Sequence, residues 1–214
     1  ALFGQLTFHV SDDWSVTGGL RWNSDEKHAV RVSRYLGNFA PIRKNFTNLS
    51  FDEEIDESSA IWTFNTRYAA TDDVMLYFTA SSGYKAPGIN ARPIRASDPV
   101  PVTFGAENSE NIEIGAKTLL ADGRLQLNLA AFRMTMEDMQ QVAANPAGLG
   151  VHVQNAGELI QQGLELEAQA RPTDWLDIRA SAAYLDSEWN DFPSGTCAKN
   201  GGAPASTDPL FPNS

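Results

Sequence analysis

The sequence is short of cysteine, of positive charge and of long apolar runs. Its 16 Lys and Arg stand against 27 Asp and Glu, a formal net charge of −11, and without a basic stripe we expect no nucleic-acid partner. No segment approaches 18 consecutive apolar residues, so the sequence offers no membrane-spanning helix. The single cysteine, Cys197, leaves two states open: an exposed thiol or, in an exported protein, a disulfide to a cysteine beyond Ser214.

Sequence patterns of catalysis and of metal binding are also lacking. The three histidines, His9, His28 and His152, lie far apart, and no HExxH, GxSxG, P-loop or paired-cysteine motif occurs. We therefore expect no enzyme, no cofactor and no metal site. The acidic run at residues 52–57, placed in or at the base of a long loop, could hold a divalent cation. Its spacing matches no calcium loop, and we favour a solvated acidic rim.

The clearest structural signal is an alternation of apolar and polar residues across residues 159–185. Before Pro172, the residues Leu164 and Leu166 alternate with Glu165 and Glu167. The alternation resumes after Asp174, and a period of two indicates β-strands because successive side chains point to opposite faces. Pro172-Thr173-Asp174 favours a tight reversal. The stretch predicts an antiparallel hairpin with one apolar and one charged face.

The same alternation predicts eight strands with two kinds of connection. Short turns are expected near residues 12, 72, 122 and 173, and longer connections over residues 24–57, 85–106 and 138–150. The first of these connections is expected to be partly strand-like around residues 29–35. With up-and-down pairing, all short turns fall at one end of the sheet and all long loops at the other. Short periplasmic turns and long extracellular loops are typical of outer-membrane barrels.

Aromatic residues near the predicted strand ends favour a membrane setting. Trp14 and Trp175 follow short turns, Tyr68 precedes one, and Trp22 and Tyr184 lie toward the far side. The eight residues from Trp14 to Trp22 would span roughly 20 Å along the membrane normal. A soluble sheet with one buried face shows the same alternation, but here no helix or second sheet is predicted to cover the apolar faces. We therefore predict an all-β, antiparallel, up-and-down transmembrane β-barrel, with lipid on its apolar side.

Three segments resemble the barrel of the TonB-dependent outer-membrane receptor family. The first, residues 71–90, is similar to a family turn and strand that end in Gly-Tyr/Phe-Lys/Arg-x-Pro. The second, residues 106–117, resembles a Pro-Glu-x-x-x-x-x-Glu-x-Gly-x-Lys pattern, although Ala106 stands in place of the proline. The third resembles a strand with the pattern Asn-x-Gly…Gly-x-Glu-x-Glu. The matching residues are Gly83, Tyr84, Lys85, Pro87, Glu107, Glu113, Gly115, Lys117, Asn155, Gly157, Gly163, Glu165 and Glu167.

The resemblance implies a larger protein than this chain. Family barrels have about 22 strands, so residues 1–214 would form a single partial barrel domain, and the plug domain and the remaining strands are expected outside it. The resemblance also implies a place in the Gram-negative outer membrane, contact with lipid and lipopolysaccharide, and coupling to the TonB complex through the plug. Its default ligand is a ferric siderophore, with cobalamin, oligosaccharides and other metal chelates open.

Three other protein classes remain as alternatives at this point. A self-contained eight-stranded barrel could serve as an anchor or an adhesin, since eight strands can close around a side-chain-filled interior. An outer-membrane enzyme would need an acid–base constellation that the sequence does not show. A soluble β-sandwich is the most remote alternative.

Two groups of residues are candidates for function. In the second long loop, Lys85, Arg92 and Arg95 concentrate positive charge and could attract an anionic ligand; pairing with the acidic segment is the other reading. On the polar face, charged residues would line a wet lumen, where they are paired or solvated wall residues or, for some of them, contacts of the plug. These lumen-facing candidates are Glu113, Lys117, Glu165, Glu167, Arg171 and Arg179.

Overall fold

Ten β-strands make up the regular structure of the described chain. The computed structural model describes residues 1–33, 49–90, 100–144 and 151–190. The strands are β1 (Leu2–His9), β2 (Trp14–Ser33), β3 (Leu49–Thr71), β4 (Val74–Lys85), β5 (Gly88–Ile89), β6 (Thr103–Phe104), β7 (Glu107–Leu120), β8 (Leu125–Ala144), β9 (Val151–Thr173) and β10 (Leu176–Asn190). No helix in this part of the chain is long and apolar enough to span a membrane.

Eight of these strands form one antiparallel sheet in the order β1-β2-β3-β4-β7-β8-β9-β10. Each strand pairs with the one before it along the main meander, which confirms the predicted up-and-down arrangement. The short connections, residues 10–13, 72–73, 121–124 and 174–175, therefore lie at one end of the sheet. The strand ends that lead into the three longer connections lie at the other end.

The register of the sheet separates an apolar outer face from a polar inner face. Leu166 of β9 lies between Leu129 of β8 and Ala182 of β10, whereas Glu167 lies between Asn128 and Ser181. Because side chains alternate along a strand, this register keeps like residues together across the sheet. The predicted two-faced hairpin is confirmed.

The outer face has no protein cover in the described chain. Leu6, Leu20 and Ile114 are 83%, 60% and 61% exposed. The buried hydrophobic side chains among the described residues are Val100, Ala156 and Leu159. A sheet that leaves its apolar face this exposed lacks the packed core of a water-soluble domain.

Two of the predicted long connections are largely strand. The ladder between β2 and β3 continues to the pair Ser33 and Leu49, so the loop expected over residues 24–57 was wrong for most of its length. The strand β8 likewise runs to Ala144, beyond the expected start of the third loop. The alternation of charged and apolar residues is irregular in parts of these segments, such as residues 24–28 and 52–57, and this irregularity hid the strands.

Two local features also differ from expectation. The strand β9 includes Pro172, and the turn itself is Asp174-Trp175. The pairing shifts by one residue between Leu176 and Ile178, and a proline without an N–H is tolerated at such an irregularity. Trp175 thus lies in the turn and is 80% exposed. In the second connection, β5 and β6 form a small antiparallel pair that the sequence did not predict.

Candidate functional site

A tyrosine on β4, Tyr77, contacts two charged residues in the middle of the inner face. The Tyr77 hydroxyl donates a hydrogen bond of 2.7 Å to Glu113 Oε1, and Lys117 Nζ lies 5.7 Å from the centroid of the Tyr77 ring. Gly115 pairs directly with Tyr77 across the two strands. A Cβ at Gly115 would lie 2.5 Å from the ring, so only glycine lets the ring lie against the wall between Glu113 and Lys117.

A shallow groove lies on the inner face nearer the short turns. Its volume is about 280 Å³, and its polar lining comes from β8, β9 and β10: Gln126, Asn128, Glu167, Gln169, Arg179 and Ser181. Asn128 Nδ2 donates to Glu167 Oε2 at 3.3 Å. The groove can offer amide, carboxylate and guanidinium groups to whatever fills the lumen.

The six lumen-facing candidates share the inner face but do not form one cluster. Glu113 and Lys117 flank Tyr77, and Glu167 and Arg179 line the groove. Glu165 lies between Ala130 and Ala183. Arg171 is at the end of the hairpin, where its Nε lies 3.9 Å from Asp177 Oδ1. The register places these residues on the polar face of the sheet; that this face lines a lumen and contacts a plug remains a prediction.

The end of β4 away from the short turns holds Lys85, which is the one cation of the predicted ligand-binding group that the structure describes. Lys85 Nζ lies 3.4 Å from Glu107 Oε2, and its side chain is 57% exposed. The same carboxylate oxygen accepts a 2.7 Å hydrogen bond from the Gln140 N–H. Lys85 is therefore paired with the carboxylate of Glu107, which is itself fixed by the Gln140 N–H, and it remains open to solvent. Arg92 and Arg95 lie outside the described residues, as does Cys197.

The acidic run at residues 52–57 belongs to β3 and not to a loop, which corrects the prediction. The run pairs with β2, and on that strand His28 Nε2 lies 2.6 Å from Asp52 Oδ1. This hydrogen bond raises the pKa of His28 above its usual value. Among the described residues, no three His, Cys, Asp or Glu side chains converge in a way that could hold a metal ion.

Sequence reasoning missed a group of amide side chains at the extracellular end. Asn90, Gln140 and Asn155 bond to backbone groups of the second connection and of β9. Asn90 ends the first family-like segment and Asn155 is a matching residue of the third, but neither was predicted to be a site residue. Gln140 lies in a segment that had been expected to be loop.

The predicted interface aromatics lie on the outer face or in a short turn. Trp14 and Tyr68 pair across β2 and β3 near the short turns, and the Trp14 indole donates to Thr66 Oγ1 at 2.8 Å. Trp22 lies farther up β2, opposite Ala60, and Tyr184 pairs with Leu164. Their contact with the membrane interface stays a prediction.

Comparisons with known proteins agree on one family. The family model described as "TonB dependent receptor-like, beta-barrel" matches residues 1–213. The pesticin receptor of Yersinia enterocolitica is 31% identical over 172 residues, which are 80% of this chain and 23% of that protein. The metal-pseudopaline receptor of Pseudomonas aeruginosa is 32% identical over 162 residues, 74% of this chain and 21% of that protein. The chain thus spans less than a quarter of the length of these relatives.

Solved structures show the same fold. The ferric yersiniabactin uptake receptor from Yersinia pestis superposes with a TM-score of 0.71 at 26% identity, covering 88% of this chain and 26% of that one. A copper transporter superposes with a TM-score of 0.67 at 16% identity, covering 88% and 29%. At that identity the second likeness concerns the fold alone.

Proposed function

The chain belongs to the TonB-dependent receptor β-barrel family, and we propose that it forms part of the wall of a receptor that imports a scarce nutrient with energy from TonB. Barrels of this family lie in the outer membrane of Gram-negative bacteria. The observation that carries the proposal is the family match over residues 1–213 on a sheet whose apolar face has no protein cover in the described chain.

A ferric siderophore or a related metal chelate is the proposed ligand class. Two relatives are named for such chelates, ferric yersiniabactin and metal-pseudopaline. Many metal chelates are anionic, and an exposed ammonium at the extracellular end, such as Lys85, can attract them. Arg92 and Arg95 would add to this charge.

The proposed transport needs parts outside this chain. We infer a plug domain that contacts the inner face through some of Glu113, Lys117, Glu165, Glu167, Arg171 and Arg179, and that links the receptor to the TonB complex. Further strands would complete a barrel of about 22, with lipid and lipopolysaccharide around it. The wall itself binds and guides; it performs no covalent chemistry in this proposal.

The arrangement of the described strands disfavours a self-contained small barrel. An eight-stranded barrel closes only when its first and last strands pair. In the described sheet, β1 and β10 are the two edges. An anchor or adhesin of eight strands therefore lacks the pairing that it would need.

Uptake by cells tests this proposal. The full-length receptor would be expressed in a Gram-negative host without siderophore receptors of its own, and uptake of ⁵⁵Fe-labelled ferric yersiniabactin and of cobalt-loaded pseudopaline would be measured. We expect TonB-dependent uptake of one chelate and none in a matched host lacking TonB. Lys85→Glu should raise the concentration for half-maximal uptake. Uptake that persists without TonB, or no uptake of any metal chelate in a wider panel, would contradict the proposal.

A further inference from the structure

The connection between β4 and β7 has a described base, residues 86–90 and 100–106, which we call the stem. It carries the short strands β5 and β6. The stem leaves the main sheet after Lys85 and lies against β8 and β9 through the side-chain amides of Asn90, Gln140 and Asn155. We call these three residues the amide junction.

Asn90 binds the backbone of β9 as a neighbouring strand would. Its Nδ2 donates to the Val153 carbonyl at 2.7 Å, and its Oδ1 accepts from the Val153 N–H at 2.8 Å. The same Nδ2 reaches the Pro101 carbonyl at 3.0 Å, and the Asn90 N–H donates to the Val102 carbonyl at 2.6 Å. One side chain thus joins both halves of the stem to the wall.

Asn155 and Gln140 hold the other end of the stem. Asn155 Oδ1 accepts from the Gly105 N–H at 2.6 Å, and its Nδ2 reaches the Gly105, Ala106 and Asp138 carbonyls at 2.7–3.2 Å. Gln140 Nε2 donates to the Ala86 and Gly105 carbonyls at 2.9 and 3.0 Å. The Gln140 N–H also binds the carboxylate that tethers Lys85.

Burial in the described chain is concentrated at this junction. Eight described residues are buried, and seven of them lie in the stem or in the outer part of β9: Pro87, Gly88, Asn90, Val100, His152, Ala156 and Leu159. The three hydrogen bonds of the Asn90 side chain are part-buried, and a buried polar group that loses its partner is left unsatisfied. The stem is therefore held more firmly than an exposed loop would be.

We propose that Asn90, Gln140 and Asn155 are positioning residues that fix the stem against the extracellular ends of β8 and β9. Glu107 extends the junction to Lys85, because its carboxylate accepts a hydrogen bond from the Gln140 N–H and pairs with the Lys85 ammonium. The consequence for ligand binding rests on the proposed function. In the receptor, a rigid stem would hold the ligand-binding loop in place, so loss of the amide junction should weaken ligand binding and leave the rate of translocation unchanged.

Hydrogen exchange of the full-length receptor in detergent micelles, resolved by mass spectrometry of peptides, tests the junction without any ligand. Asn90→Leu should speed exchange about tenfold or more in residues 86–90, 100–102 and 151–154, since it removes the three hydrogen bonds that the Asn90 side chain makes to backbone groups. Asn155→Leu should do so in residues 103–106. The matched control is Asn128→Leu, because Asn128 Nδ2 binds the Glu167 side chain and no backbone group; it should leave the stem unchanged.

Two results would overturn the proposal. One is unchanged exchange of the stem in both junction variants; the other is a uniform rise that includes β1 and β2, which would indicate general destabilisation. In cells, both variants should raise the half-saturating concentration of ferric yersiniabactin several-fold, with a maximal rate close to that of the wild type. If the wild type takes up no ferric yersiniabactin, this chelate is not its ligand. The exchange experiment still decides the role of the amide junction.

Discussion

Two glycines on the inner face are required because neighbouring strands occupy the space of a side chain. At Gly115 this space holds the Tyr77 ring. At Gly163 it holds the Tyr184 carbonyl of β10, and the Phe132 ring lies 3.0 Å from the Cβ position. A ring can shift, but a paired backbone carbonyl cannot do so without opening the ladder. Gly163 is therefore the less replaceable of the two.

The change Gly163→Ala should destabilise the full-length receptor by about 1–3 kcal/mol, as expected when an extra methyl group is forced into a filled space. Urea-dependent unfolding in lipid vesicles measures the effect. Gly18→Ala is the matched control, since a Cβ at Gly18 would meet nothing within 4 Å. Equal stability of the two variants would contradict the close approach between β9 and β10.

His28 lies beyond the segment from Trp14 to Trp22 that is predicted to span the membrane, and its contact with Asp52 predicts a pH effect. Asp52 raises the pKa of His28, and Glu54 adds a smaller effect in the same direction. Because the folded pKa lies above the unfolded one, the stabilisation is complete below the unfolded pKa. It is lost as the pH rises through the folded pKa.

Nuclear magnetic resonance titration of histidine-labelled full-length receptor measures this pKa. Asp52→Asn should lower the pKa of His28 clearly, and the control Glu54→Gln should lower it less. A larger shift for Glu54→Gln would show that the direct cross-strand neighbour, not the hydrogen bond, sets the protonation of His28.

At the scale of the strand, alternation assigns each residue to lipid or to the lumen. Ala182 and Ala183 are consecutive on β10, so they point to opposite faces. Ala182 pairs with Leu166 on the outer face, and Ala183 pairs with Glu165 on the inner face. The two faces can therefore be compared by making the same substitution at Ala182 and at Ala183.

An arginine at these two positions should have unequal effects. Ala182→Arg should cost up to about 2–4 kcal/mol, because charged side chains on the lipid face are destabilising in proportion to their depth. Ala183→Arg faces water and a carboxylate, and should change stability much less. Folding of both full-length variants into vesicles under urea gives the comparison. Similar losses would mean that the two faces are assigned wrongly.

At the scale of the whole molecule, the stability of the described sheet depends on its two edge strands, β1 and β10. Along β1 and β10 one row of backbone groups has no ladder partner in the described chain. Within the hydrocarbon region each unsatisfied group costs several kcal/mol, and exposed edges also invite aggregation. The wall segment needs neighbouring strands to be stable in lipid.

The 214-residue chain alone should therefore aggregate or remain unfolded in detergent micelles, whereas the full-length receptor should fold to a heat-resistant monomer. Circular dichroism and the electrophoretic shift on heating would report both. A monodisperse, heat-resistant monomer of the short chain would contradict this expectation and would revive the small-barrel alternative.

The sequence by itself determined the fold class, the two faces and the positions of the short turns. These follow from the alternation of apolar and polar residues and from local turn chemistry, which act over a few residues. Leu164 and Leu166 are an example, because alternation places both on one face and Glu165 and Glu167 on the other. The family resemblance then fixed the class of receptor.

Only the tertiary structure decided which distant residues meet. The contact of Asn90 with Val153 joins positions 63 residues apart, and nothing in the local pattern encodes that distance. The length of β2 and β3 was likewise hidden, since residues 24–28 and 52–57 show no regular alternation of apolar and polar residues. The proximity of Tyr77, Glu113 and Lys117 depends on the register between β4 and β7, which is set by the ladder as a whole.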